Sequence, residues 1–501
     1  YLTQQLLRQG VGLYSRGTGQ VSPSDVLNSL DTAVVTVTGA VPPMLPKGTY
    51  FDVEVSASGA TGTKSLDGGI LIVTDLRLDM GMEVDPSYGS DVKAIAAGPV
   101  TLNPFLDVSD PKNAMRQREG RVIGGGRVEK ARNVSLHMIA SNYAISDKIA
   151  KRINSRFAGM GLDHVAVAKS ADLIELTVPP SYHKEPNRFI ELVLHLPLND
   201  SPGAWETHML NVIGEMGKED APGDSLALVL EAQGGQVLPM IKALYISDED
   251  QIAFYTARTG MRLGDRSADA TIIKFASEGG PYQVQAIKAL GEHRKVGMAD
   301  RALRGLVDSE NTRVRIAAYR ALRDRGSAAV RQIEIGGLFH LDIVLTSEGN
   351  DLIYATRVDD SRIVLFGQDI DLKNPIYYES RGGLLFINGL PDSETVSVRR
   401  SLPLSDDRMS DKFEGPYDVA WLVRTLGSTP RTDISGNVEG LGLTYGQVVE
   451  TLYRLTEEGH VDSEFMLQSL PAQERLLEMT EVRGIEVVDP ETGEELDISS
   501  P

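Results

Sequence analysis

Apolar residues early in the chain recur with the period of an extended strand. The stretches "TAVVTVTGAVPP" (residues 32–43), "YFDVEVSAS" (50–58) and "GILIVTDLRL" (69–78) alternate or run apolar, carry many β-branched residues and are bounded by Gly/Pro clusters. That pattern predicts a sheet with tight connections. The period then changes. In "SNYAISDKIAKRINSRFAG" (141–159), Ile145, Ile149, Ile153 and Phe157 recur at steps of four and a glycine follows, which predicts a helix with one apolar stripe and a clear stop. Two strands are expected next: "DLIELTVPP", with Ile174, Leu176 and Val178 on one face, and "RFIELVLHLPL", starting at Arg188.

Between about 201 and 330 the texture is helical, and sliding the sequence against itself by 32 residues aligns three segments. Ile252, Val284 and Ile316 coincide, as do Tyr255, Ile287 and Tyr319, and Ala257, Ala289 and Ala321. A fixed period of this size marks units that bury their apolar faces on one another, and the last copy, "SENTRVRIAAYRALRDRG", resembles a HEAT-like repeat. Strands return over 331–400 ("HLDIVLTSE", "SRIVLFGQDIDL", "GLLFING", "TVSVRR"). A charged loop, "LPLSDDRMSDKFEG", then leads to helices at 416–427 and 444–457. Thr444 and Gln447 have the spacing of a capping box at the start of the second. The tail "DPETGEELDISSP" is acidic. The fold class expected is α+β.

Composition narrows the function classes. A chain of 501 residues with 41% hydrophobic and 24% charged residues can hold two to four domains. Its net charge of −20 argues against general nucleic-acid binding, which needs lysine and arginine to neutralise phosphates. With no cysteine, disulfides, thiolate metal sites and cysteine nucleophiles are excluded. No apolar run approaches the roughly 18 residues of a membrane helix, so membrane insertion is not expected. "YLTQQLLRQGVGL" does not read as a signal peptide, and the natural start of the protein is expected upstream of Tyr1.

Candidate chemistry is sparse. The histidines (137, 164, 183, 195, 208, 293, 340 and 460) show no HExxH spacing. His195, in a predicted apolar strand, reads as a packing residue before a ligand. "GHVDSE" offers His460, Asp462 and Glu464, but a helix stop and solvated turn explains it better. No GxSxG elbow occurs. "GRVIGGGRVEK" (120–130) reads as a flexible hairpin, since no helix opens after its glycines. In "KSLDGGILIV", Asp67 and two glycines suit a turn ahead of a buried strand, not a phosphate cradle, which would need a helix there. Neither catalytic residues nor cofactors are expected. One basic island stands out: residues 282–326 hold ten Lys/Arg against five Asp/Glu. Arg313, Arg315, Arg320, Arg323 and Arg325 are either a solvated repeat face or a docking site for an acidic partner.

A colinear series of segments resembles the bacterial flagellar P-ring family. "TAVVTVTGAVPPMLPKGTYFDVEVSASGATGTKSLDGGILIVTDL" is similar to that family's strand, Pro-Pro turn and "KSLRGGTLL" sequence. "VKAIAAGPVTL", "GRVEKARN", "DKIAKRINSRF" and "DLIELTVPP" follow in family order. Near the other end, "VAWLVRTLGSTP" and "LTYGQVVETLYRLTEEGHV" resemble two family helices. The resemblance divides the chain into a strand-rich P-ring-like domain (1–133), an αβ unit (134–200), inserted HEAT-like repeats (201–330), a strand-rich segment (331–415) and a helical pair with acidic tail (416–501). Further departures are the insertion "RTDISGNVEGLG" and two acids, Asp31 and Asp67, where the family carries basic residues, while Lys64 is kept.

The resemblance implies a structural subunit that assembles as a homo-oligomeric ring, a bushing around the flagellar rod in the periplasm. Asp31, Lys64 and Asp67 would be rod-facing or ring-interface residues. The partners implied are rod and L-ring proteins, with peptidoglycan as a further candidate. The inserted repeats would be a docking arm through Arg313, Arg315, Arg320 and Arg323. A competing expectation is a non-flagellar envelope scaffold whose repeats recruit a partner. An enzyme with a site between the inserted helices and the sheet is the least favoured.

Overall fold

The computed structural model describes residues 3, 6 and 7 and residues 22–469, except 30, 42–44, 60, 79–90, 104–114, 131–133, 160–161, 184, 199–201, 219, 294–297, 348–350, 359, 368, 381–382, 384, 402–411 and 433–437. Most of the charged loop before the final helices, part of the 431–442 insertion and the acidic tail lie outside the described residues.

After a short helix α1 (Pro23–Asn28), closed by a Ser22–Asp25 capping box, five strands form an antiparallel sheet. They are β1 (Val35–Thr38), β2 (Tyr50–Ala57), β3 (Ile70–Leu76), β4 (Ala94–Pro99) and β5 (Glu119–Val128), in the spatial order β1-β2-β5-β4-β3. Period two is realised on β2, where Phe51, Val53 and Val55 are buried against Leu71, Ala94, Ala96, Val122 and Val128. The glycine run expected as a hairpin is instead the middle of β5, the central strand. Its register against β2 shifts between Phe51 and Val53, Gly124 takes a φ of 62°, and the Gly124 N–H donates to Asp52 Oδ1 at 2.7 Å. A Cβ on Gly126 would stand 2.5 Å from the Phe51 ring, and one on Gly125 2.3 Å from Val122. These glycines therefore build a bulge and not a mobile turn. The run Ile70 to Val73 also departs from expectation. It lies on an edge strand, and only Leu71 of the four is buried.

The next unit contains β6 (Val134–His137), α2 (Tyr143–Phe157), β7 (Ala166–Ala168) and β8 (Leu173–Leu176), with the strands ordered β6-β8-β7. Asn142 caps α2 by accepting the Ala144 and Ile145 N–H groups. Ile153 and Phe157 are fully buried, while Ile145, at the helix start, is 42% exposed. Ile174, Leu176 and Val178 are all buried, as expected. The segment from Arg188 is not a strand. It is helix α3 (Pro186–Leu194), with Pro at its start and Phe189, Leu192 and Val193 buried along one stripe. The apolar run carries both periods, and proline at the first turn favours helix. His195 is the C-cap of that helix.

Helices follow: α4 (Pro202–Met216), α5 (Gly223–Ala232), α6 (Leu238–Ile241), α7 (Asp250–Arg262), α8 (Asp269–Glu278), α9 (Gln283–Glu292), α10 (Ala299–Leu306) and α11 (Thr312–Arg325). The three segments related by 32 residues are α7, α9 and α11, and α9 packs against both others. Tyr255, Ile287 and Tyr319 are buried, and so are Ala257, Ala289 and Ala321.

Among the remaining described residues, two larger sheets, a two-stranded pair and two helices follow; the sheets and helices share one core, and Val344, Leu352, Tyr354, Val364 and Phe366 of the first of these sheets pack instead into the core of the helical array. Strands β9 (Val330–Ile335), β10 (Phe339–Val344), β11 (Leu352–Ala355) and β12 (Arg362–Phe366) join β19 (Glu464–Leu467) in the order β19-β11-β12-β10-β9. Strands β13 (Ile376–Glu379), β14 (Leu385–Gly389), β15 (Val396–Arg400) and β16 (Phe413–Gly415) form the second sheet, and β17 (Arg431–Thr432) pairs with β18 (Val438–Glu439). Helices α12 (Val419–Gly427) and α13 (Tyr445–Glu457) contribute Leu422, Val448 and Leu452 to a core with Leu341, Ile353, Leu365, Ile387 and Val398. The Thr444–Gln447 capping box is formed. Glu464, expected in a turn, opens β19, which runs parallel to β11. No helix among the described residues is long and apolar enough to cross a membrane.

Candidate functional site

The antiparallel order of the first sheet brings the start of β1, the end of β2, the start of β5, the end of β4 and the start of β3 to one end. Asp31 lies in the turn before β1, and Lys64 and Asp67 in the turn before β3, so the topology gathers all three there. All three are exposed. The second turn is well tied. Leu66 is buried, its N–H donates to the Gln117 carbonyl (2.9 Å), the Asp67 N–H donates to Ser65 Oγ (3.1 Å), and the Gly69 N–H returns to the Leu66 carbonyl (3.1 Å). Gly68 takes a φ of 66°, open to glycine at little cost.

This end of the sheet also meets the far end of the chain. A Cβ on Gly68 would stand 3.1 Å from the Gln447 side-chain nitrogen, and one on Gly446 3.2 Å from Thr101 Cγ2. The turn carrying Asp67 thus sits against the first turn of α13. Crowding by surrounding protein pushes the Asp67 carboxyl above its ordinary value, opposed in part by the Gly68 N–H, although the side chain still reaches solvent.

The five candidate arginines of the basic island are all at least half-buried. Arg315 is 3% exposed, donates from Nε to the Val307 carbonyl at 2.9 Å and lies 5.1 Å from the Phe366 ring centre. Burial lowers its pKa. That position is a core position, and it removes Arg315 from any docking surface. Arg320 donates to the Tyr354 hydroxyl (2.6 Å), and Arg323 lies over the Tyr319 ring and pairs with Asp324 (3.0 Å). Arg325 pairs with Asp300 (2.6 Å) and donates to the Leu290 and His293 carbonyls. Arg313, in the first turn of α11, is half-buried. For these five arginines the charge overstates what they offer at the surface, because guanidinium groups can lie on aromatic faces and cap carbonyls, whereas Lys288, Arg301 and Arg304 of the same region are exposed.

Two ionic clusters, one buried and one partly exposed, were not anticipated. Asp342, fully buried in β10, accepts from both the Tyr319 hydroxyl (2.6 Å) and the Arg362 guanidinium (3.1 and 3.2 Å). The signal was present as a single acid inside the apolar run "HLDIVL". The second cluster joins α3 to the helical array: Arg188 pairs with Glu231, and Arg262 pairs with Glu292 (2.6 Å) and Glu185 (3.7 Å). Burial lowers the Arg262 pKa despite Glu292. Burial and the neighbouring Arg262 lower that of His293.

Among the described residues no group of three or more His, Asp or Glu could hold a metal. His460 faces Glu458 at 3.7 Å, in keeping with a helix stop. A cavity of about 340 Å³ beside α2 is lined by Asp147, Lys148, Lys151, Arg152, Ser155 and Leu198. Lys151 already pairs with Asp147 there (2.7 Å).

Comparison with known proteins gives a consistent answer for the first part of the chain. Residues 3–204 match the family model described as FlgI, flagellar P-ring protein. A flagellar P-ring protein of Pseudothermotoga lettingae is 30% identical over 184 residues, covering 34% of this chain and 50% of the relative. One from Geobacter metallireducens is 30% identical over 194 residues (36% and 48%). One from Paramagnetospirillum magneticum is 28% identical over 194 residues (36% and 44%). The chain spans about half the length of these curated relatives, and the matched stretch ends where the helical array begins.

Proposed function

We propose that the chain is a structural subunit of a periplasmic ring resembling the flagellar P ring, a bushing around the rotating rod that serves cell motility. The observation that carries this reading is the family match over residues 3–204, which runs through both the five-stranded sheet and the αβ unit. The role is mechanical. Many copies would pack in a closed, head-to-tail ring, with rod and L-ring proteins as partners, peptidoglycan as a further one, and Asp31, Lys64 and Asp67 at the end of the sheet that approaches rod or neighbour.

The helices between 201 and 330 would act as a HEAT-like repeat arm that docks a further partner. The docking candidates narrow to Arg313, Arg320 and Arg323, since Arg315 is buried. The final helices, outside the matched stretch, would complete the P-ring-like fold and brace the sheet through the Gly68–Gln447 contact.

Electron microscopy of basal bodies from cells with and without this protein tests the reading. Loss of the ring at the cell-wall level, with impaired swimming, is expected. An unchanged ring and normal swimming would refute it and leave the non-flagellar scaffold in its place. Arg313→Glu with Arg323→Glu should spare the ring and weaken docking of the arm's partner.

A further inference from the structure

We propose that the joint between the αβ unit and the helical array is a pH-sensitive latch, closed while His293 is neutral and released when His293 takes up a proton. Such a latch would act in the isolated chain, whether or not copies assemble into a ring.

The helical array is held very differently at its two ends. At the far end it shares a core with the sheet that follows: Val344, Leu352, Tyr354, Val364 and Phe366 pack among the side chains of the array, and the Tyr319 hydroxyl reaches across to the buried Asp342. At the near end, among the described residues, the core of the αβ unit takes one buried side chain from the array, Ala232, and one partly buried, Leu228. Polar contacts supply the rest. Arg188 of α3 binds Glu231 of α5 through both Nε and Nη2, and Arg156 of α2 donates to the Glu231 and Ala232 carbonyls (3.2 and 3.1 Å). Glu185, the N-cap of α3, lies 3.7 Å from Arg262 of α7 and 4.0 Å from Arg188, so it bridges the two loosely. A joint with so little apolar area is held by charge, and a proton can switch charge.

His293, the C-cap of α9, is half-buried and faces charged groups of α3, α5 and α7. Burial above all, and then the Arg262 and Arg188 charges, keep the ring neutral against the pull of Glu185 and Glu231. Glu292, its neighbour on α9, is taken by Arg262 (2.6 Å). Arg325 of α11 donates to the His293 carbonyl and pairs with Asp300 of α10. Arg294 and Lys295 lie outside the described residues. Because the acids are already matched to arginines, a protonated ring gains little from them and needs water instead. Of the elements that face it, α3 alone belongs to the αβ unit, so parting the joint admits water without disturbing the array. A ring in water titrates near 6.5, so the open form takes up the proton first, and the closed form loses its advantage as pH falls below about that value.

Double electron–electron resonance on the cysteine-free chain reads the joint directly. Spin labels go on Glu191→Cys of α3 and Gln236→Cys, just after α5, in the full-length protein. Arg301→Cys with Glu379→Cys is a reference pair across the far end, and all four positions are exposed. From about pH 7 to about pH 5 a longer-distance population should grow severalfold for the first pair, reversibly, with the reference pair unchanged. His293→Gln should abolish the change and keep the short distance at both pH values. His293→Arg should show the longer distance already at neutral pH; should that variant fail to fold, His293→Gln decides. A first-pair distance that ignores pH would show the joint to be fixed and overturn the latch. A response that survives in His293→Gln would overturn it by giving the trigger to another group, and a reference pair that moves as well would do so by showing that acid loosens the whole molecule.

Discussion

At the scale of single residues, the structure turns on small contacts made by unlikely partners. Asp52 satisfies the Gly124 N–H inside the central bulge, so Asp52→Ala should leave that donor poorly satisfied and cost about 1–3 kcal/mol in chemical denaturation. Gly126→Ala should cost a similar amount, about 1–3 kcal/mol, because the new methyl meets the buried Phe51 ring. If both variants unfold like the parent, β5 does not depend on its bulge. A larger effect is expected at Asp342. Arg362→Leu would strand a fully buried carboxylate and should cost about 3–5 kcal/mol, whereas Tyr319→Phe removes one hydrogen bond and should cost about 1–2 kcal/mol. These residues differ in how far the sequence discloses them. The turn at Asp67 and Gly68 could be read locally, since glycine and the following β-branched run define it. The bulge could not, because the collision that demands glycine comes from Phe51, some 75 residues earlier.

At the scale of elements, the 32-residue offset was legible because equivalent helices bury equivalent side chains, as Tyr255, Ile287 and Tyr319 do. Helix α3 was not, because "RFIELVLHL" supports either period and its buried face depends on Phe157 and Tyr182, which it meets only in three dimensions. The same limit hid the exposure of β3, since an apolar run shows that a strand forms but not whether it lies at the centre or the edge. The cluster joining α3 to the array makes stability depend on pH. His293, at the end of α9, is held below its ordinary pKa of 6.5 by burial and by Arg262. The unfolded chain therefore binds more protons than the folded one once pH falls below about 6.5. The stability contributed by neutral His293 is present above that pH and is lost as pH falls through the depressed folded value. Melting temperature should drop between pH 7 and pH 5, and His293→Gln should flatten part of that drop. An unchanged slope in the variant would assign the acid sensitivity to other groups.

At the scale of the whole molecule, the described residues of the stretch that matches the P-ring model meet the rest of the chain at two separated places. One is the ionic cluster of Glu185 and Arg188 with Glu231, Arg262 and Glu292. The other is the apolar and polar seat of the Gly68 turn and Thr101 on the first turn of α13. A chain held at both ends of its helical array behaves as a frame, whereas one held at a single end leaves the array free to swing as a linked domain. The two cases separate on one substitution. Gly446→Trp places a large side chain where even a Cβ comes within 3.2 Å of Thr101, at a position early in α13 that does not need glycine for its backbone. The expected result is faster hydrogen exchange at Thr101 and Arg121, whose amides close the neighbouring bridge, and a larger radius of gyration by small-angle X-ray scattering, with helix content unchanged. Arg262→Met opens the opposite junction and should by itself change the radius little, while the double variant should exceed the sum of the two. Strict additivity would show that the junctions act independently and that the frame does not exist. In that case the helical array would move on its own, and load on it would not reach the first sheet.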